Sequence, residues 1–210
     1  IGNLKYSQAE TENLYLEKNL HKFLTLNNSW CASSTHKSEE LFIGYTHKFL
    51  KKKIKNLVTI IIPRHIERSL KIKEDLEKLN LRVHLDKPKK KINPLTDIYL
   101  VNSYGKTKNF YNSCKNVFLG GSLIKHGGQN PLEATRYGCN IMHGPYIQNF
   151  TEIYSFLKKN KISQQINSQQ KLAYTLNKLI KRKSNSKKIQ RKLKLIGKQI
   201  LDKTLKEIKI

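Results

Sequence analysis

Hydrophobic residues along the chain gather into two kinds of run. Short blocks rich in Val, Ile and Leu at 57–62, 81–85, 97–101 and 116–119 are bounded by turn residues. Such continuous apolar blocks predict strands buried on both faces. Weaker blocks at 29–32 and 139–143 extend the set. Between them lie stretches with helical spacing at 37–50, 66–79, 104–113 and 131–137, so strand and helix alternate. That alternation predicts an α/β fold, a Rossmann-like doubly wound parallel sheet with right-handed crossovers. The two ends read differently. Residues 8–26 predict one helix with Leu14, Leu16, Leu20, Phe23 and Leu24 on its apolar side. From about 149 onward the pattern is helical again, in pieces at 149–160, 168–182 and 186–208. The last piece places Ile189, Leu193, Ile196, Ile200 and Leu205 near helical spacing and predicts an amphipathic helix with a basic face. The chain thus divides into a leading segment and helix at 1–26, a doubly wound domain at 27–182 and a basic terminal helix at 183–210. It contains no internal repeat and no Pro- or Gly-rich linker.

Composition bounds the functions this pattern can serve. With 210 residues, 38% of them hydrophobic, the chain can build a core. Its 41 Lys and Arg against 15 Asp and Glu give a formal charge of +26, which raises nucleic acid, anionic lipid and phosphorylated substrates as partners. Lysine carries most of that excess, beside abundant Asn and Ile, so a general composition bias on solvated faces explains much of it. Cys31, Cys114 and Cys139 lack metal-ligand spacing and read as small buried residues in a reducing compartment. No stretch approaches the roughly 18 apolar residues of a membrane span. The start I-G-N-L-K-Y reads as neither a signal peptide nor an initiator-led terminus, so the chain is expected to be a piece of something longer.

Chemistry is expected in the loops that leave the carboxyl ends of the strands, where open parallel sheets bind ligands. Most distinctive is G-G-S-L-I-K-H-G-G-Q-N-P-L-E-A at 120–134, which runs from a strand into a helix. Gly127 and Gly128 allow a tight turn and close approach to a ligand. Asn130 can cap the helix, Pro131 suits its first position, Leu132 follows, and Glu133 falls at the third. A helix N-terminus beside a glycine pair attracts anions, and a nearby carboxylate can accept hydrogen bonds from ribose hydroxyls. Capping alone would also explain Asn130 and Glu133; Ser122 is a further candidate in the same loop. Directly after the strongest strand, P-R-H places Pro63, Arg64 and His65 at the crevice, where Arg64 can clamp a phosphate or carboxylate. A lone His65 reads as a structural residue. The hydroxyl-rich C-A-S-S-T-H-K-S-E-E at 31–40 offers Ser33, Ser34 or Thr35 as an N-cap, and leaves a ligand role for Ser34, Thr35 and His36 open. In N-S-Y-G-K-T at 102–107, Gly105 permits close backbone approach, Tyr104 can lie against a ring, and Lys106 follows.

Taken in order, these loops resemble the Kdo transferases, GT-B glycosyltransferases that move 3-deoxy-manno-octulosonate (Kdo) from CMP-Kdo onto lipid A precursor. The likeness runs from G-N-L-K at 2–5 through S-T-H-K-S-E-E at 34–40, P-R-H-I-E-R at 63–68 and N-S-Y-G-K at 102–106. It closes with G-G-S-L-I-K-H-G-G-Q-N-P-L-E at 120–133 and H-G-P-Y-I-Q-N-F at 143–150. The resemblance implies the C-terminal, donor-binding domain of a GT-B enzyme, with 1–26 as an interdomain segment. It implies that CMP contacts Pro63 and Arg64, the turn Tyr104, Gly105 and Lys106, and the segment Asn130, Pro131, Leu132 and Glu133. Lys5 matches a position that helps stabilise the transition state, where a cation suits the charge developing on the departing phosphate. Two positions depart from the family's pattern. Lys106 stands where Glu is usual, and Ile66 where proline usually follows P-R-H.

The mechanism implied is direct displacement at the anomeric carbon of Kdo. The general base and the lipid acceptor site belong to an N-terminal domain outside this chain, so the chain alone is expected not to turn over. No metal and no cofactor are expected, because Arg64, Lys5 and the helix start at Asn130 supply the positive field. The implied partners are CMP-Kdo, lipid A precursor through the N-terminal domain, and an anionic membrane surface at the cytoplasmic face of a bacterial inner membrane. Two rival readings differ in kind. A GT-B enzyme with another donor, such as a UDP-sugar transferase or epimerase, would share the architecture. A nucleic-acid-binding module would explain the charge but leaves the glycine loops unexplained, and the basic residues lack interleaved aromatics; no nucleic acid is expected.

Overall fold

The computed structural model describes residues 14–86 and 91–207. Seven strands form one sheet: β1 (Asn28–Thr35), β2 (Leu57–Pro63), β3 (Val83–Leu85), β4 (Ile98–Leu100), β5 (Asn116–Leu119), β6 (Asn140–His143) and β7 (Ser163–Gln165). Their order is β3-β4-β2-β1-β5-β6-β7, and every pairing is parallel. The helices are α1 (Lys18–Thr25), α2 (Glu39–Lys51), α3 (Ser69–Glu77), α4 (Thr107–Ser113), α5 (Leu132–Arg136), α6 (Thr151–Lys159), α7 (Gln169–Ile180) and α8 (Ser186–Glu207). The doubly wound parallel sheet is the architecture that alternating blocks predict.

Strand β2, apolar throughout its block apart from the buried Thr59, shows why such a block is nearly continuous. Val58, Ile60 and Ile62 enter the core on one face, with Leu20 and Leu24 of α1 and Phe110 of α4. Leu57 and Ile61 enter the opposite core, with Ile43 and Leu50 of α2, Ile72 and Leu76 of α3, and Leu172 and Leu176 of α7. With helices on both faces, a period-two strand can place an apolar residue at every position. Fully burying each such side chain stabilises by about 1.5–3 kcal/mol. A third, smaller core joins Leu132 of α5 to Ile153 and Leu157 of α6 and to Ile189 and Leu193 of α8, so the basic terminal helix is docked by its apolar side.

Several boundaries differ from expectation. The predicted helix at 8–26 begins only at Lys18, and its residues 8–13 lie outside the described ones. Residues 14–17 are not helical, and two of their carbonyls are held elsewhere: Asn112 Nδ2 donates to Leu14 O at 3.1 Å and Asn109 Nδ2 to Tyr15 O at 2.8 Å. The segment 66–79 opens as a 3-10 turn at Ile66–Arg68 before α3. Helix α4 starts three residues later than expected, at Thr107, because Tyr104 and Gly105 form a turn in which Gly105 has φ +82°. Strand β7 escaped the reading altogether. It is a polar edge strand, Ser163–Gln165, with both glutamines exposed, and so carries no apolar block. All three cysteines are free and buried, and they share one core cluster.

At the amino end of β4, the buried carboxylate of Asp97 gathers two cations, Lys51 and Arg82, and lies beside an imidazole. It accepts from the Arg82 side chain at 3.2 Å, from the Arg82 N–H at 2.9 Å and from Lys51, and it lies 3.6 Å from His47 Nε2. Burial opposes its ionisation, but the hydrogen bonds outweigh burial and hold Asp97 well below the usual carboxylate range. An Asp97→Asn variant is expected to lose about 2 kcal/mol, the scale of a hydrogen bond to a charged group, in urea denaturation. His47 and His143 are held below the ordinary imidazole pKa by burial, so the folded chain declines protons that the unfolded chain accepts near pH 6.5. Stability should therefore fall as pH drops below about 6.5. The expected observation is a lower melting temperature at pH 5 than at pH 7.5 by circular dichroism.

Candidate functional site

Strand register brings the candidate loops to one edge. Thr35 pairs with Pro63, Ser33 with Leu119, and Ile61 with Leu100, so β1, β2, β4 and β5 end side by side. The chain leaves β1 toward β2 on one side, while β5 continues on the other, so the sheet reverses between β1 and β5. A reversal of this kind opens a crevice beyond the strand tips.

One carboxylate builds the floor of that crevice. Glu39, the first residue of α2, is 1% exposed, yet it accepts four backbone hydrogen bonds. Its Oε2 takes the N–H of His36 at 2.9 Å and of Gly121 at 2.7 Å, and its Oε1 takes those of Ser122 at 3.1 Å and Leu123 at 2.9 Å. Three successive N–H groups make a nest for an anion, and here the chain's own carboxylate fills it. The approach is so close that a Cβ at Gly120 would collide with the backbone of Ser34 and Thr35. None of Ser33, Ser34 or Thr35 caps α2, contrary to expectation. All three belong to β1, and the residue before the helix is Ser38, in the left-handed region at φ +77°. The Ser33 hydroxyl instead shares a 2.8 Å hydrogen bond with Tyr111.

The segment at 143–150 folds over the glycine loop. Gly144 N–H donates to Ser122 Oγ at 2.8 Å, Tyr146 N–H to Ser122 O at 2.9 Å, and Asn149 N–H to Gly127 O at 3.1 Å. Gly127 has φ +98°, and a Cβ there would strike the Asn149 side chain. Gly128 closes the loop by donating to Gly121 O at 2.9 Å. Ser122 is fully buried with its hydroxyl bonded to Leu119 O and Gly144 N, so that side chain is committed to the loop.

The remaining candidates divide into exposed and committed groups. Pro63 is buried, and Arg64 N–H donates to Thr35 O at 2.9 Å, leaving the guanidinium exposed. Among the described residues, neither Arg64 nor Glu133 makes a side-chain hydrogen bond or ion pair. Asn130 Oδ1 accepts the Leu132 N–H at 3.0 Å, the capping contact the sequence suggests. Leu132 points its side chain into the core between α6 and α8, so only its backbone is open to a ligand. Pro131 is buried and Tyr104 exposed. Lys106 donates to Asp86 at 2.7 Å, and Asp86 also accepts from Tyr99 at 2.6 Å and Ser103 at 3.3 Å. The lysine thereby fixes the turn at Tyr104 and Gly105. Thr35 and His36 are buried; His36 packs against His126 and His65, with ring centroids 4.3 and 5.8 Å apart. Glu40 pairs with Arg68 through two contacts at 3.1 and 3.2 Å, and burial raises its pKa despite the guanidinium. Lys5 lies outside the described residues. Sequence reasoning missed Glu39, Asp86, His126 and Asn149 as members of the site. The adjacent glutamates of S-T-H-K-S-E-E were the available signal for Glu39.

No family model matches the chain. It is 32% identical over 223 residues to the 3-deoxy-D-manno-octulosonic acid transferase of Rickettsia prowazekii, covering 100% of this chain and 47% of that protein. It is 30% identical over 202 residues to the enzyme of the same name from Haemophilus influenzae, covering 95% of this chain and 47% of that one. Among solved structures, the C-terminal CMP-Kdo binding domain of WaaA from Acinetobacter baumannii superposes with a TM-score of 0.75 at 25% identity. That match covers 83% of this chain and 92% of the domain. The chain is related to the Kdo transferases. It corresponds to their C-terminal half and has the fold of a GT-B C-terminal domain. It spans about half the length of the Kdo transferases it matches.

Removing the Glu39 carboxylate would leave four N–H groups without their acceptor in a buried setting. A Glu39→Ala variant is expected to lose about 3 kcal/mol of stability in urea denaturation. Amide exchange at Gly121, Ser122 and Leu123 should accelerate beyond the change in remote strands.

Proposed function

We propose that this chain is the donor-binding half of a glycosyltransferase that takes Kdo from CMP-Kdo and delivers it to lipid A precursor in lipopolysaccharide inner-core synthesis. The observation that carries the reading is the strand register: β1, β2, β4 and β5 end side by side, so the loops that carry Arg64 and Tyr104 and the glycine loop that leads to Glu133 leave the same edge of the sheet. Likeness to a domain described as CMP-Kdo binding supports it. Arg64 would grip the phosphate, Glu133 would accept from ribose hydroxyls, and the Asn130–Pro131 backbone with Tyr104 and Gly105 would frame the nucleotide. Asp86 would act through Lys106 to hold that turn.

In this reading Arg64 and Lys5 offset the charge that develops on the departing phosphate, so the step needs neither a metal nor a cofactor. The base that activates the acceptor hydroxyl belongs to a preceding domain, as does the lipid site. Exposed Lys187, Lys188, Arg191, Lys194 and Lys198 along α8 face away from its docked side. They would favour an anionic membrane surface, each worth about 1 kcal/mol near the headgroups. The cytoplasmic face follows from the site of CMP-Kdo supply in this reading.

Calorimetry with CMP tests the assignment. The expected outcome is binding by the chain, at least tenfold weaker after Arg64→Ala or Glu133→Ala, or about 1.4 kcal/mol each. UMP should compete poorly. Equal binding of CMP by all three proteins would remove Arg64 and Glu133 from the site, and equal competition by UMP would favour a UDP-sugar donor.

A further inference from the structure

The three histidines at the reversal of the sheet have a chemistry that the assignment above does not use. His36 follows β1, His65 follows β2 and His126 sits in the glycine loop after β5. The His36 and His126 rings lie 4.3 Å apart between centroids, and those of His36 and His65 5.8 Å apart. Both His36 and His126 lie over the Gly121 backbone, where a Cβ would come within 3.3 Å of His36 Nε2 and 3.0 Å of His126 Cδ2. His36 is 8% exposed, and its Nε2 is buried without a hydrogen-bond partner. Buried polar atoms in folded proteins nearly always have one, so an orphan imidazole nitrogen beside a ligand crevice marks a place for a missing hydrogen-bond partner.

The charges around the cluster decide what that partner is. Arg64 and Arg68 face it from the segment after β2, and His65 and His126 complete the ring. The nearby carboxylates are already engaged: Glu39 by four N–H groups, Glu40 by Arg68. Among the described residues Glu67 also lies close, 3.3 Å from His65 Nδ1, and both of those side chains are largely exposed. A cation would meet two guanidiniums. Among the described residues no group of His, Cys, Asp or Glu is arranged to hold a metal ion.

We infer that His36, His65 and His126 form an anion-receiving subsite of the donor pocket, which takes an oxygen anion of the donor, phosphate or sugar carboxylate, together with a proton from solvent. The inference rests on the donor-binding reading. Burial, then the positive neighbours His126, His65, Arg64 and Arg68, push the His36 pKa down to about 4 in the ligand-free chain, so the ring is neutral at working pH. An anion reverses both effects, because it accepts a hydrogen bond from the imidazolium and cancels the surrounding charge. Binding is therefore coupled to protonation and strengthens as pH falls, by up to about tenfold per pH unit for each proton taken up.

Calorimetry in two buffers of different ionisation enthalpy tests this with the wild type, His36→Gln, His65→Gln and His126→Gln, between pH 5.5 and 7.5. The ligands are cytidine, CMP and a CMP-linked 2-keto sugar acid. His65 and His126 are exposed, so their variants should keep the fold by circular dichroism. The CMP phosphate itself titrates near pH 6, but equally in every protein, so the difference between wild type and variant isolates the histidines. The expected result is proton uptake by the wild type that the variants lose, with cytidine binding unchanged. A loss already present with CMP assigns the phosphate, and a loss confined to the sugar-acid conjugate assigns the carboxylate. Variants that bind every ligand with wild-type affinity and proton uptake overturn the subsite while leaving the donor reading intact. A wild type that binds neither cytidine nor CMP overturns both.

Discussion

The candidate site depends on one buried carboxylate. Glu39 stands at the start of α2, and its two oxygens collect N–H groups from the loop after β1 and from three consecutive residues after β5. A buried carboxylate is costly unless hydrogen bonds surround it. Satisfying it forces the two loops together across the reversal of the sheet. Gly120 follows from the same constraint, because only a residue without a Cβ lets the β5 loop approach Ser34 and Thr35 closely enough. The glycine loop is thus shaped from within the protein, before any ligand arrives.

That solution recurs around the molecule. Asp86 ties the turn after β4 through Lys106, Tyr99 and Ser103. Asp97 gathers Lys51, Arg82 and His47 at the other end of the sheet, and Glu40 holds Arg68. Glu39, Glu40, Asp86 and Asp97 are thus engaged in holding loops or helices, and the guanidinium of Arg64 and the histidines are left among the chargeable groups near the reversal of the sheet. An edge arranged this way is electrostatically suited to an anionic nucleotide, and its fixed donors need little rearrangement on binding.

The similarity to the Kdo transferases, of which the chain spans about half the length, gives this arrangement a context. The pairing of Lys106 with Asp86 holds the turn at Tyr104 and Gly105 from the side chain.

The sequence by itself determined the parallel α/β architecture, since continuous apolar blocks such as Leu57 to Ile62 have a stable place only between two helical layers. It also marked the turn at Gly105, because a glycine after a strand is a local signal. The polar edge strand β7 carried no apolar block and was invisible, and the start of α1 was decided by Asn109 and Asn112, nearly a hundred residues away in the chain. Only the tertiary structure could show that Glu39 fills the N–H nest, that Ser122 and Leu132 face inward, and that His36, His65 and His126 meet. Hydrogen bonds and charge interactions act over a few ångströms in space, and separation along the chain does not report that distance.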